Sequence, residues 1–167
     1  MIITIWRHGE AGRAATDRQR QLTGRGQDDI GFGCRAFQAA LESRQIAPPE
    51  LILFSPWART EQTAGIIASA FTHAFSREHA ALQPGSAVTA VEHCLVSLLD
   101  KPEAPPHVVL VSHQPLVSEL VEFYLGPASN VPPLSPGALV SFTLAVPAQH
   151  CGELVFWAVP PEYEVGL

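Results

Sequence analysis

The sequence is poor in cysteine, in long apolar runs and in lysine. Its three cysteines, Cys34, Cys94 and Cys151, show no CxxC spacing, which argues against a zinc ribbon or a disulfide framework. We expect each to be a small buried hydrophobe. No apolar run approaches the roughly 20 residues that span a bilayer, and the short run at residues 2–6 is not followed by the cleavage site of a secretory signal. These absences predict a cytoplasmic protein without a membrane partner.

Positive charge is also scarce. The net charge is −6, which argues against a nucleic-acid partner because such binding needs a broad basic patch. Lys101 is the single lysine among ten cations, and five of the arginines lie in the first 25 residues: Arg7, Arg13, Arg18, Arg20 and Arg25. Guanidinium groups suit the forked binding of phosphate or carboxylate. A local anion site and a solvated N-terminal loop both fit this distribution.

The order of apolar runs predicts an α/β fold. Residues 2–6, 51–54 and 108–111 are short apolar runs typical of strands buried on both faces. A helix signal follows each, with the predicted N-caps at Thr23, at Ser55 before Pro56, and at Ser112 or Gln114. Apolar spacing predicts one more helix from about residue 88, and an antiparallel strand pair is expected at 138–144 and 153–159. The 167 residues therefore predict one three-layer α/β/α domain with a mainly parallel sheet and an antiparallel C-terminal strand.

Charged and imidazole side chains follow each of the three predicted parallel strands. Arg7 and His8 come directly after the first, Arg59 falls in the first helical turn after the second, and His113 follows the third. Ligands of open α/β sheets lie outside the carboxyl ends of the strands, where helix N-termini favour anions. The pattern predicts a site for a dianion. A metal site made of His8, His113 and Glu10 is weakened as an alternative, because the fixed charge of the arginines would oppose a cation.

Four motifs in the chain resemble the signatures of one known family. RHGE ends the first strand, LTGRG opens the first helix, and SPWARTEQTA and VSHQP follow the next two strands. In this order they resemble the histidine phosphatase superfamily, to which phosphoglycerate mutases belong. The resemblance covers nearly the whole chain and implies a single histidine phosphatase domain over residues 1–167. The compact length, the run RQLT from Arg20 and LQP at residues 82–84 place it closest to the SixA-type phosphohistidine phosphatases.

The resemblance also implies a mechanism. His8 matches the family's nucleophile, which attacks phosphorus and forms a covalent phosphohistidine that water then hydrolyses. The phosphate pocket is matched by two arginines and a histidine expected to be protonated: Arg7, Arg59 and His113. Gly9 would allow the phosphoryl group to approach closely, and Arg20 is expected as a substrate contact at the rim. No metal or other cofactor is expected.

The interval between the second arginine and the last histidine lacks an evident general acid. Many superfamily members carry there a carboxylate that protonates the leaving oxygen. Here His113 follows Arg59 by 54 residues, and the pattern does not place at the site the carboxylates Glu78, Glu92, Asp100 and Glu103 that fall between them. Glu10 or Glu78 could still serve. An alkoxide needs such help, worth roughly 10²- to 10⁴-fold, whereas imidazole leaves a P–N bond more readily.

The missing acid therefore favours phosphohistidine on a protein, such as a histidine-phosphotransfer domain, as the substrate. Two alternatives remain open at this point. One is a phosphomonoesterase that acts on small molecules, and the other is a catalytically silent adaptor domain that only binds phosphate.

Overall fold

The computed structural model describes residues 1–167 and contains one sheet of seven strands flanked by four helices. The strands are β1 (Ile2–Arg7), β2 (Leu51–Phe54), β3 (Phe75–Glu78), β4 (His107–Ser112), β5 (Leu139–Leu144), β6 (Gly152–Ala158) and β7 (Val165–Gly166). The helices are α1 (Gly24–Ser43), α2 (Ala58–Ala70), α3 (Val88–Leu99) and α4 (Leu116–Leu125), and short 3₁₀ turns lie at Asp17–Gln19 and Ala80–Leu82.

The sheet has a parallel part and an antiparallel part. Its order is β3-β2-β4-β1-β5-β6-β7, with parallel pairing from β3 to β1 and antiparallel pairing from β1 to β7. Arg7 pairs with Ser112, so β1 and β4 end at the same level. The predicted α/β class, with antiparallel strands at the C-terminus, is confirmed. The register also brings the residues that follow β1 and β4 to one edge of the sheet.

Alternation along the central strands divides the core into two layers, because successive side chains of a strand point to opposite faces. Ile3 and Ile5 of β1 pack with the apolar residues of α3 and α4. Trp6 packs on the other face with those of α1 and α2. Helices on both faces explain why these strands consist of continuous apolar runs.

The start of α3 at Val88 agrees with the predicted one, but of the three predicted N-caps only one is correct. Thr23 caps α1, since its side chain accepts a hydrogen bond from the Gly26 amide at 2.9 Å. The second helix starts at Ala58 instead of Pro56, with Trp57 at the N-cap, so Ser55 is not a cap. The last helix starts at Leu116 with Pro115 at the N-cap, and no side chain caps it.

Two strands and the cysteines also differ from the predictions. Strand β3 was not predicted because it is a mostly exposed edge strand of sequence FSRE, and β7 has only two residues. All three cysteines are free, but only Cys34 is buried, whereas Cys94 is half-buried and Cys151 is exposed. None of the four helices has the length and apolar character needed to cross a membrane.

Candidate active site

The loop that follows β1 is packed tightly between the sheet and two helices. The His8 amide donates to the carbonyl of Ser112 at 3.1 Å, and the Gly9 amide donates to the Thr63 hydroxyl of α2 at 3.2 Å. A Cβ added to Gly9 would lie 2.9 Å from the carbonyl oxygen of Gly26 in α1. Packing against α1 therefore requires glycine at this position, whatever its role toward a substrate.

The contacts of His8 leave a lone pair on Nε2. Its Nδ1 lies 2.8 Å from the Gly9 carbonyl oxygen, which can only accept, so Nδ1 carries the proton. Nε2 accepts a hydrogen bond from Nε of Arg59 at 3.1 Å. Burial, assisted by the charges of Arg59 and Arg7, lowers the pKa of His8 to about 4. At neutral pH the ring is uncharged, and Nε2 can act as a nucleophile once the hydrogen bond from Arg59 is released.

Arg59 lies in the first turn of α2 and is buried against His8. Besides the bond from Nε to His8, Nη1 donates to the backbone carbonyl of Asp17 at 2.7 Å and Nη2 to its carboxylate at 3.2 Å. The guanidinium carbon stands 4.8 Å from the ring centroid of Trp57, as in a cation–π contact. Three separate contacts thus fix the guanidinium plane beside the imidazole.

Two buried nitrogens at the site have no protein partner. Arg7 donates from Nη1 to the carbonyl of Leu134 at 2.8 Å, but its Nε is unpaired. Nδ1 of His113 is also unpaired. Buried polar atoms in proteins nearly always have a partner, so these two nitrogens suit a site that binds a polar ligand.

The ring of His113 faces that of His8, with 5.1 Å between their centroids. Its Nε2 lies 2.8 Å from the buried hydroxyl of Ser55. Burial, followed by the effects of His8 and Arg59, lowers the pKa of His113 to about 3. In the free protein this favours the neutral form of His113, so a protonated His113 in a phosphate pocket stays a prediction. Sequence reasoning assigned Ser55 to a helix cap and so missed it as the partner of this histidine.

Comparison with solved structures identifies the fold that carries these residues. No protein-family model and no curated protein matches the sequence. Among solved structures, the protein histidine phosphatase SixA complexed with tungstate superposes with a TM-score of 0.79 and 28% identity, over 98% of this chain and 100% of that one. The fold is that of the histidine phosphatases. The resemblance to SixA-type phosphatases inferred from the motifs is confirmed.

Two more distant histidine phosphatases show the same likeness in fold. A protein from Agrobacterium tumefaciens assigned as SixA has a TM-score of 0.75 and 20% identity, over 95% of this chain and 98% of that one. A mycobacterial glucosyl-3-phosphoglycerate phosphatase complexed with VO3 has a TM-score of 0.63 and 16% identity, over 85% and 90% of the two chains.

In this histidine phosphatase fold, Arg20 binds the loop in which it lies. Its Nε donates to the carbonyl of Gly12 at 2.7 Å, its Nη2 to that of Ala11 at 3.1 Å, and its Nη1 to the Asp17 carboxylate at 3.1 Å. Each of its nitrogens therefore has a protein acceptor. A contact of Arg20 with substrate stays a prediction.

Asp17 is the carboxylate that sequence reasoning missed. It bridges Arg20 and Arg59, and its hydrogen bond with Arg20 is the largest cause that holds its pKa below the usual value. In the sequence, the signal that could have identified Asp17 is its position three residues before Arg20.

Glu10, by contrast, accepts a hydrogen bond from the Thr23 hydroxyl at 2.8 Å, at the start of α1. No group of three histidine, cysteine or acidic side chains has the arrangement of a metal site.

Proposed function

We propose that residues 1–167 form a single histidine phosphatase domain in which His8 is the nucleophile. One observation supports this proposal most strongly. The neutral imidazole of His8 has its lone pair on Nε2, which lies 3.1 Å from Nε of the fixed guanidinium of Arg59. A nucleophile and a cation that neutralises phosphoryl oxygens are thus adjacent. Such a pair is suited to phosphoryl transfer, in which positioning and charge stabilisation supply most of the catalysis.

The proposed reaction has two steps. In the first, Nε2 of His8 attacks phosphorus, a P–N bond forms, and the bond to the leaving group breaks with its electron pair on the leaving atom. In the second, water attacks phosphorus, His8 recovers its lone pair, and inorganic phosphate departs with the second proton of the water released to solvent. Arg7 and Arg59 neutralise the equatorial oxygens in both steps.

In the same proposal His113 completes the phosphate pocket. Its unpaired Nδ1 hydrogen-bonds a phosphoryl oxygen, since the Ser55 hydroxyl can donate to Nε2 and leave the ring proton on Nδ1. An incoming dianion also raises the pKa of His113 and favours its cationic form. Gly9 keeps the nucleophile's loop close to the pocket, and no metal or other cofactor takes part.

We further propose that the substrate is a phosphohistidine on a protein, such as a histidine-phosphotransfer domain. The carboxylate at the cluster, Asp17, is held ionised by Arg20 and Arg59, and an ionised carboxylate cannot protonate a leaving alkoxide. A phosphohistidine ring that carries a proton on its free nitrogen leaves the P–N bond as neutral imidazole, so no acid is needed at the leaving atom. The similar structure complexed with tungstate, a phosphate analogue, is that of a protein histidine phosphatase.

The substrate class is tested by comparing turnover of a phosphohistidine protein with that of p-nitrophenyl phosphate, with EDTA present. We expect rapid release of phosphate from the protein, sluggish hydrolysis of the ester, and loss of both activities in His8→Ala. His73→Ala is the matched control, because His73 is an exposed histidine outside the cluster. Preference for the ester would contradict the protein substrate, and phosphate binding without any turnover would indicate an adaptor domain.

A further inference from the structure

The Asp17 carboxylate lies where the loop before α1 meets the nucleophile. Its Oδ1 accepts from Arg20 and its Oδ2 from Arg59, at 3.1 and 3.2 Å. Its backbone carbonyl also accepts from Arg59, at 2.7 Å. A single residue thus provides two acceptors to the guanidinium whose third nitrogen contacts His8.

The geometry of Arg59 shows what these contacts do. A guanidinium has five N–H donors in one plane, and here one is directed to His8 and two to Asp17. Two donors stay available for phosphoryl oxygens. With contacts at both ends of the fork, the plane cannot rotate about its bond to Cδ without breaking a hydrogen bond.

Arg20 in turn holds Asp17 in place. It ties the Asp17 carboxylate to the carbonyls of Ala11 and Gly12 in the same loop. The chain of contacts therefore runs from the loop backbone through Arg20 and Asp17 to Arg59, and from Arg59 to the reactive nitrogen of His8. Most residues of this loop are exposed, so packing alone does not fix it.

We propose that Asp17 is a positioning residue that holds the guanidinium of Arg59 against Nε2 of His8, and that Arg20 acts on Arg59 through Asp17. This inference rests on the proposed function. It assigns a role to a loop carboxylate that is exposed over 55% of its side chain and has no part in the hydrophobic core. A role as general acid does not fit, because both arginines favour its ionised form.

The test is a double-mutant cycle read out by the affinity for tungstate, which requires no turnover. We expect Asp17→Ala to weaken tungstate binding about tenfold, the loss typical of a charge-assisted hydrogen bond at a partly exposed site. Asp28→Ala removes the same charge from an exposed position of α1 and is expected to change the affinity less than twofold. Asp17→Asn keeps the side-chain size and is expected to weaken binding to an intermediate extent.

The second arm of the cycle uses Arg59→Lys, which keeps the charge but has no fork to hold both Asp17 acceptors. In this background Asp17→Ala is expected to lower the affinity for tungstate less than threefold, since the effects of coupled residues are not additive. The ¹⁵N NMR signal of His8 Nε2 gives a readout free of ligand, and it should shift in Asp17→Ala but not in Asp28→Ala.

Asp17→Ala could weaken tungstate binding equally in the wild-type and Arg59→Lys backgrounds, or leave the His8 signal unchanged. Either outcome would overturn the positioning role. Either result would leave the proposed phosphatase function untouched, because neither measurement involves a phosphorylated substrate. Absence of turnover on phosphohistidine would instead contradict the proposed function and leave the coupling between Asp17 and Arg59 intact.

Discussion

His8 and His113 face each other but have different kinds of partner. A backbone carbonyl binds Nδ1 of His8 and permits a single neutral tautomer. A serine hydroxyl binds Nε2 of His113, and a hydroxyl can either donate or accept. A nucleophile needs a fixed lone pair, whereas a group that binds phosphate benefits from being able to gain a proton. The two partners therefore fit the two proposed roles.

Ser55→Ala tests the partner of His113. The substitution leaves Nε2 of a buried histidine unpaired, at a cost of about 1–3 kcal/mol for such a group. We expect kcat/KM on a phosphohistidine protein to fall about tenfold, since 1.4 kcal/mol corresponds to a factor of ten. Ser69→Ala, at an exposed serine of α2, is the control and should keep wild-type kinetics. Equal kinetics in the two variants would mean that Ser55 does not support His113.

At the scale of the elements, the first turn of α1 sets the position of the catalytic loop. Gly26 approaches this loop so closely that an added Cβ would collide with the backbone carbonyl oxygen of Glu10. Backbone cannot move aside as easily as the end of a flexible side chain. The first turn of α1 therefore fits closely against the RHGE loop, which gives the second glycine of LTGRG, Gly26, a steric reason, whereas Gly24 has open space around it.

Gly26→Ala should therefore separate the helix from the loop. We expect it to destabilise the fold by about 1–3 kcal/mol, as overpacking does, and to weaken tungstate binding. Gly31→Ala in the same helix meets nothing within 4 Å and should be neutral or stabilising by up to about 1 kcal/mol, because alanine favours helix. Urea unfolding measures both variants. Equal free energies of unfolding for Gly26→Ala and Gly31→Ala would contradict the close approach of Gly26 to the backbone of Glu10.

The elements that sequence reasoning predicted are those whose own residues determine them. Strands β1, β2 and β4 are continuous apolar runs, and Thr23 caps α1 from within its own turn. The start of α2 was misplaced because Ser55 resembles a local cap, whereas its hydroxyl bonds with His113, 58 positions away. Strand β3 was missed because it forms through pairing with β2 at the sheet edge and has no apolar pattern.

The same distinction holds for the site. Arg7 ends a parallel strand, and His8, Arg59 and His113 come after one, so sheet topology alone predicts that they meet. Asp17 lies in a loop with no periodic pattern, and only the folded path of that loop brings it to Arg59. The neutral state of His113 also depends on burial, which motif spacing does not contain.

At the scale of the whole molecule, a polar network crosses the sheet away from the active-site edge. His107 is fully buried, with Nε2 2.9 Å from the Thr4 hydroxyl and Nδ1 2.9 Å from the carbonyl of Ala47. The Thr4 hydroxyl also lies 2.8 Å from that of Ser141. Burial lowers the pKa of His107 to about 4. His8 and His113 are the other two buried histidines, and burial lowers their pKa as well.

This arrangement predicts that acid destabilises the fold. Below the usual histidine pKa of about 6.5 the unfolded chain binds protons that the folded chain does not, so stability is complete above pH 6.5 and declines as pH falls toward 4. For His107 alone the loss at pH 5 is about 2 kcal/mol. Urea unfolding at pH 7, 6 and 5 measures this loss of stability. In His107→Gln the free energy of unfolding should fall less steeply with decreasing pH. Constant or rising stability toward pH 5 would contradict the burial of neutral histidines.

The proposed mechanism requires that the phosphoryl group be bound covalently to His8 during turnover. The most direct measurement mixes the protein with a phosphohistidine substrate carrying ³²P, quenches with alkali within milliseconds, and locates the label by peptide mapping. We predict an alkali-stable, acid-labile label on the peptide that contains His8, and its absence in His8→Ala. Rapid release of phosphate by the wild-type protein without label on that peptide, or full activity of His8→Ala, would contradict a covalent intermediate on His8.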